Sequence, residues 1–265
     1  MKIGVSGYGF VGQAVARGFF DSGKHDVKVY DPYKERIDDF NVLLDCDVVF
    51  LCVPTLNKEG YIDTLAHRQD TKPLVDNLNK LREADYGGVV AIKSTVLPEI
   101  VQQLVELYES LNIVGNPEFL QQNDAYNDFI NARVTIIGGK YQHCVQVAAT
   151  YLESGMEAPI KFLDTAADAM FTKYIVNNFF AVKNAFFNEM KLIADANGLD
   201  FYTALSAALE DDRIHPLHTK VPGPDGHLGF GGACLPKDAI AMYSSSMSKM
   251  LDAALTVNAE VRPEE

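Results

Sequence analysis

The sequence predicts an α/β fold, a doubly wound parallel sheet followed by an all-helical region. Three observations carry this. Short β-branched runs alternate with helical patterns as far as Asp164. A glycine-rich turn joins the first strand pattern to the first helix pattern. Strand patterns then stop, and residues from Thr165 onward show only helical spacing and loops.

Strands are expected at Lys2–Ser6, Asp26–Tyr30, Asp47–Val53, Gly88–Ser94, Asn112–Gly115, Val134–Gly138 and Pro159–Leu163. Most are apolar on both faces, as strands buried under helices are. Between them, Val11–Ser22, Thr64–Ala84, Pro98–Ser110 and Tyr141–Ser154 carry helical periodicity, so right-handed crossovers should place helices on both faces. Ala166–Asn197 reads as one long helix and Phe201–Leu209 as a shorter one. A loop rich in Gly, Pro and His follows from Asp211 to Pro236, then a last helix from about Lys237 towards Asn258. The expected division is residues 1–164 for the sheet domain and 165–265 for the helical one.

A chain of 265 residues with 48% hydrophobic and 22% charged residues has an ordinary globular composition. Its net charge of −13 argues against nucleic acid or an anionic membrane as partner. No apolar run is long enough to span a bilayer, and the chain enters a strand at once, so no leader is expected. Cys46, Cys52, Cys144 and Cys234 are scattered, without disulfide or metal-ligand spacing. This points to a reducing, cytoplasmic setting and to no metal. Cys52, inside Val48–Val53, reads as core.

Gly7-Tyr8-Gly9-Phe10-Val11-Gly12 fits G-x-G-x-x-G in the context that gives the pattern meaning, directly after a strand and opening a helix. Gly7 makes the turn, Gly9 lets a pyrophosphate approach, and Gly12 lets helix pack on strand. The anion would rest on the helix N-terminus at Phe10 and Val11, where free N–H groups and the dipole favour negative charge. Asp31 ends the second strand, where a carboxylate binds ribose hydroxyls and disfavours a 2′-phosphate, so NAD is the expected cofactor. Lys34 and Arg36 lie nearby and soften that preference. The domain is therefore a Rossmann-type NAD-binding domain.

Cys234 stands in Gly229-Phe-Gly-Gly-Ala-Cys-Leu-Pro-Lys-Asp238, just before a Pro able to occupy a helix's first turn. That would set its sulfur near a helix N-terminus with Lys237 close by, a setting suited to a nucleophile. A small buried residue beside a tight turn is the plainer reading. The chain resembles the UDP-glucose/GDP-mannose dehydrogenase family in eight collinear pieces. They are Gly7–Gly12, Val53-Pro54-Thr55, Lys93-Ser94-Thr95-Val96, Asn116-Pro117-Glu118-Phe119-Leu120, Lys173–Asn177, Asn188-Glu189, Asp212-Arg213-Ile214 and Gly229–Asp238.

The resemblance implies NAD-dependent oxidation of a nucleotide sugar's primary alcohol to a uronate, in two hydride steps. It implies Cys234 as the nucleophile that captures the aldehyde and later carries a thioester. Lys173 and Asn177 would stabilise oxyanion charge, and their i, i+4 spacing puts them on one helix face. Asp238 would lie near the catalytic water, Glu118 would act as base in hydrolysis, and Thr95 would position water beside the cofactor. Val53, Pro54 and Thr55 would line the cofactor. Phe119, Leu120, Arg213, Phe230 and Gly231 would bind substrate, Arg213 across the interface of a homodimer formed through the helical domain. Taken alone, Lys173 reads as a solvated helix lysine, Asn177 as a surface or helix-bonded amide, Asp238 as a first-turn acid, Glu118 as an exposed carboxylate and Thr95 as a helix N-cap. A β-hydroxyacid dehydrogenase, which needs no cysteine, and a non-catalytic NAD-binding subunit are the alternatives. The chain departs from the family in having Gln122 where an acid is usual, a short segment from Asp31 to Asp47, and an end at Glu265 before a further nucleotide-binding domain.

Overall fold

The computed structural model describes residues 1–57 and 69–262. These form two compact units, residues 1–57 with 69–173, and residues 174–262.

In the first unit, β1 (Lys2–Ser6) leads into α1 (Phe10–Asp21), followed by β2 (Asp26–Tyr30) and β3 (Val48–Leu51). Next come α2 (Lys72–Glu83), β4 (Val89–Ile92), α3 (Pro98–Leu107) and β5 (Asn112–Gly115). Then follow α4 (Ala125–Ile130), β6 (Thr135–Gly138), α5 (Tyr141–Glu153) and β7 (Ile160–Leu163). All seven expected strands form, trimmed by up to two or three residues at their ends. Of the helix expected over Thr64–Ala84, the stretch 64–68 lies outside the described residues and Lys72–Glu83 forms α2.

The sheet order is β2-β1-β3-β4-β5-β6-β7. β1 to β5 pair in parallel, as expected. β6 corrects the expectation of a wholly parallel sheet, because it runs antiparallel to β5, with Gly115 opposite Gly138. A parallel pair needs a crossover, usually a helix. The β5–β6 connection holds only a 3-10 turn and the six-residue α4, which packs on α1. A Cβ on Gly18 of α1 would come within 2.5 Å of the Phe129 ring of α4. Phe19, Phe50, Phe129 and Tyr151 pack edge-on or tilted, with ring centroids 5.2–6.2 Å apart, at the centre of the core.

α6 spans Ala166–Ala196 without a break. Packing divides the chain after Lys173, inside this helix. Its first turns lie on the sheet where two glycines leave room. A Cβ on Gly115 would meet the Ala166 carbonyl oxygen at 2.5 Å, and one on Gly138 would meet Ala169 Cβ at 2.8 Å. In the second unit, the rest of α6 is joined by α7 (Phe201–Ala208), α8 (Leu235–Ser246) and α9 (Lys249–Val261). The single last helix expected from Lys237 is thus two helices. Met247 ends α8 in a left-handed conformation, φ 51°, and its N–H bonds the Tyr243 carbonyl. Residues Ala181, Ala185, Phe230, Ala239, Leu251 and Ala254 form the core where α6, α8 and α9 meet.

Candidate active site

The functional side chains fall into two sets, one in each unit. In the first unit, Gly7 takes φ +88°, and a Cβ there would meet the Cys52 carbonyl oxygen at 2.7 Å. A Cβ on Gly12 would overlap the Gly7 carbonyl oxygen. A Cβ on Gly9 would meet nothing within 4 Å. Two glycines are thus required by the protein's own packing and the middle one faces open space. Gly9 N-caps α1 with no side-chain cap, which leaves first-turn N–H groups at Phe10 and Val11 for an anion. Asp31 is 9% exposed; Oδ2 accepts from Tyr8 N at 2.8 Å and Oδ1 from Tyr33 N at 2.9 Å. The carboxylate therefore braces the glycine turn and keeps lone pairs for a ribose. Lys34 is exposed just beyond. The residues present fit a dinucleotide.

Two further loops lie at the ends of β3 and β4. Thr55 Oγ1 and Gln69 Nε2 both donate to the Thr95 carbonyl, at 2.7 and 2.9 Å, and Ser94 Oγ donates to the Val53 carbonyl at 2.7 Å. These bonds bind the Val53-Pro54-Thr55 and Ser94–Thr95 stretches into one layer. None uses the Thr95 hydroxyl. Leu97 rather than Thr95 occupies the N-cap position of α3, without a side-chain cap.

Glu118 follows β5 and is 8% exposed; Lys173 on α6 is 3% exposed. Lys173 Nζ donates to Glu118 Oε1 at 3.1 Å, while Oε2 accepts from Leu120 N at 2.6 Å. Lys173 also lies over the Phe119 ring, 5.4 Å from its centroid. Neither residue is the solvated surface group that its sequence context allows. Beneath this pair, the buried Lys93 amine donates to Asn116 Oδ1 and to Tyr151 Oη, each at 3.1 Å.

In the second unit, Cys234 occupies the N-cap position of α8, with Pro236 in the first turn. Asp238 N donates to the Cys234 carbonyl at 2.9 Å, so the carboxylate stands one turn beyond the sulfur. Asp238 is 1% exposed and 7%-exposed Asn177 donates to its Oδ2 at 2.6 Å. Lys237 Nζ lies 2.7 Å from Oδ1, close enough for an ion pair but poorly aligned for a hydrogen bond. Asn177 thus holds a buried carboxylate, which accounts for a polar residue at that helix position. Burial pushes the Cys52 thiol up to about 12, and the Cys46 and Cys144 thiols up to about 11. Burial disfavours the thiolate at these three, whereas Cys234 is half-buried at a helix N-terminus, the setting of a candidate nucleophile.

Arg213 is exposed and forks onto Asp211, with Nε 2.8 Å from Oδ1. The Phe230 ring is 2% exposed and sits in the α6–α8–α9 core, so its loop offers a ligand mainly backbone. Two residues without an assigned role in the sequence hold that loop from behind, Asn188 and Asn258. Asn188 is signalled only as part of the Asn188-Glu189 piece, and Asn258 only as an amide among apolar residues at a helix position. No described helix is long and apolar enough to cross a membrane, and no cluster of three metal-ligating side chains occurs among the described residues.

Residues 41–153 match the model for the NAD binding domain of the UDP-glucose/GDP-mannose dehydrogenase family, and residues 167–261 match that family's central domain. The chain is 25% identical to a UDP-glucose 6-dehydrogenase of Haloferax volcanii, over 97% of this chain and 69% of that one. It is 34% identical to a UDP-glucose 6-dehydrogenase of Rickettsia bellii, over 82% of this chain and 50% of that one. A UDP-glucose dehydrogenase structure from Pyrobaculum islandicum superposes with a TM-score of 0.81 at 25% identity, covering 98% of this chain and 68% of that one. Across eight curated relatives that it matches, the chain spans from 44% to 69% of their length.

Proposed function

The chain belongs to the UDP-glucose/GDP-mannose dehydrogenase family, and from that premise we propose that it oxidises the primary alcohol of a nucleotide sugar, of the UDP-glucose type, to the uronate. The observation that carries this reading is the arrangement at α8, with Cys234 at the helix N-terminus and Asp238 one turn on, buried against Asn177. A merely structural turn needs no buried carboxylate beside a half-buried thiol.

Gly7–Gly12, Asp31 and the Val53–Thr55 layer would hold NAD, and two NAD molecules bound in turn would each accept one hydride. The chain's own residues do the rest. Removal of one hydride from the alcohol carbon and of the hydroxyl proton to solvent leaves an aldehyde. Cys234 Sγ adds to its carbon, a C–S bond forms, and the thiol proton passes to the carbonyl oxygen. Lys173 and Asn177, one turn apart on α6, stabilise charge on that oxygen in the transition state. Loss of a second hydride, with the hydroxyl proton passing to solvent, leaves a thioester on Cys234. Water adds to the carbonyl while a carboxylate takes its proton; Glu118 is the candidate for that base, and Thr95 and Asp238 are the candidates for positioning the water. The C–S bond breaks, the thiol regains a proton and the carboxylate leaves. Phe119 and Leu120 in the first unit and Gly231 and the Phe230 backbone in the second are the candidate sugar contacts, and Arg213 is the candidate contact from a second copy.

That second copy is expected along α6. Ile175, Phe179, Phe186 and Ile193 are 46–59% exposed. At about 100° per residue they fall within about 40° of one another around the helix. An apolar stripe of this kind suits a homodimer interface. The test of the chemistry is the NADH yield per sugar with UDP-glucose, UDP-N-acetylated sugars and GDP-mannose. Two NADH per uronate, reduced to at most one in Cys234→Ser, is expected. Full double oxidation by Cys234→Ser overturns covalent catalysis and favours the hydroxyacid-type alternative. No turnover of any sugar despite NAD binding favours a non-catalytic subunit.

A further inference from the structure

The loop that leads to Cys234 is held through its backbone at Leu228, Gly229 and Phe230, by side chains whose positions no reaction step requires. Asn258 on α9 makes a two-point clamp, in which Oδ1 accepts from Phe230 N at 2.6 Å and Nδ2 donates to the Phe230 carbonyl at 3.1 Å. One residue earlier, Gly229 N donates to Asn188 Oδ1 at 2.8 Å, and Asn188 is itself fixed by donating to Asn184 Oδ1 at 2.9 Å. Gly229 takes φ +73°, and a Cβ there would overlap Asn258 Oδ1 and meet Val261 at 3.1 Å. The glycine is therefore demanded by α9 rather than by a ligand. Arg262 lies against Gly231, pairs with Asp225 at 2.8 Å and reaches the Leu228 carbonyl at 3.4 Å. The Phe230 ring plugs the core below.

We propose that Asn258 is the positioning residue for Cys234. It acts through the Phe230 peptide, fixing the start of the run Gly231-Gly232-Ala233 that leads to the nucleophile. Gly232 takes φ +78° with open space around its missing side chain, so this run has little of its own to stiffen it. Without an upstream anchor, the thiol would sample many positions, and the α8 N-terminus would lose its fixed approach. An asparagine suits this task because one planar amide satisfies both the N–H and the C=O of a single residue. The role of Cys234 in turnover rests on the function proposed above, whereas the clamp does not.

The experiment therefore has two readouts on the full chain. In Asn258→Ala, iodoacetamide should alkylate Cys234 about fivefold or more faster, as a half-buried thiol on a released loop becomes accessible. In the same variant, kcat should fall on the order of 10- to 100-fold, the scale of a misplaced reacting group, with KM for NAD unchanged. If wild type shows no turnover, the proposed function fails and the alkylation rate still decides the clamp. Alkylation and kcat both within twofold of wild type would overturn the clamp. Hydrogen exchange on the wild-type protein needs no variant. Slow exchange at the Gly229 and Phe230 amides supports the clamp, and exchange at open-loop rates overturns it.

Discussion

Gly9 and Gly12 differ by three positions in one motif, yet they should fail in opposite ways when changed to alanine. Gly9 has φ −76° and ψ −166°, extended backbone open to any residue, and no atom lies within 4 Å of the added methyl. Two small effects offset each other. Alanine restricts the unfolded chain, worth about 0.4–1 kcal/mol, and it is a poorer N-cap by a comparable amount. The melting temperature of Gly9→Ala should stay within about 3 °C of wild type, since 1 kcal/mol moves a domain of this size by ~2–4 °C. The methyl nevertheless fills the space in which a pyrophosphate would rest. NAD affinity should fall by about 10- to 100-fold, or ~1.4–2.8 kcal/mol. At Gly12 the added Cβ would overlap the Gly7 carbonyl oxygen and lie 2.9 Å from the Gly7 carbonyl carbon, both backbone atoms that cannot swing aside. Gly12→Ala should cost about 3 kcal/mol or more and lower the melting temperature by about 6–12 °C. Thermal melts followed by circular dichroism and NAD titration calorimetry measure both quantities. Wild-type NAD affinity in Gly9→Ala would refute the placement of the pyrophosphate, and a wild-type melt for Gly12→Ala would refute the packing argument.

Lys173→Met should destabilise the protein by about 3 kcal/mol, because Glu118 is left buried without its cation, and adding Glu118→Gln should recover part of that loss. Equal denaturation midpoints for the single and double variants would show the pair uncoupled. Burial holds the His25 imidazole below its ordinary value, where it sits among the Met1 amine, the Thr150 carbonyl, Ser154 Oγ, Glu153 and the Phe19 ring. The unfolded chain therefore takes up this proton first. The stability it contributes is present above the ordinary histidine pKa of about 6.5 and is lost as pH falls through it. His25→Gln should accordingly lose less melting temperature than wild type between pH 7.5 and 5.5; parallel losses would contradict this. Finally, Phe179→Glu with Phe186→Glu should convert a dimer to a monomer by light scattering, and a monomeric wild type would remove the apolar-stripe argument.

Much of the fold was legible because its signals are local. A buried parallel strand must be a short β-branched run, so Val48–Leu51 and Val89–Ile92 announce themselves. The direction of β6 is set by what its neighbour offers for pairing, and Thr135–Gly138 reads the same either way. The break between α8 and α9 falls at Met247, where no Gly or Pro marks it and packing of both helices on Phe230 decides the bend.

The site divides along the same line. The order of motifs along the chain determined the family, the cofactor turn and the candidate nucleophile, because glycine geometry and the chemistry of Cys, Lys and Asp are properties of the residues themselves. Burial decided the rest. A lysine, an asparagine or a carboxylate on a helix is by itself indistinguishable from a solvated one. Only the tertiary structure removes water from Lys173, Glu118, Asn177 and Asp238 and pairs them. Only it reveals Asn258, whose partner Phe230 is a backbone peptide and leaves no trace in residue type.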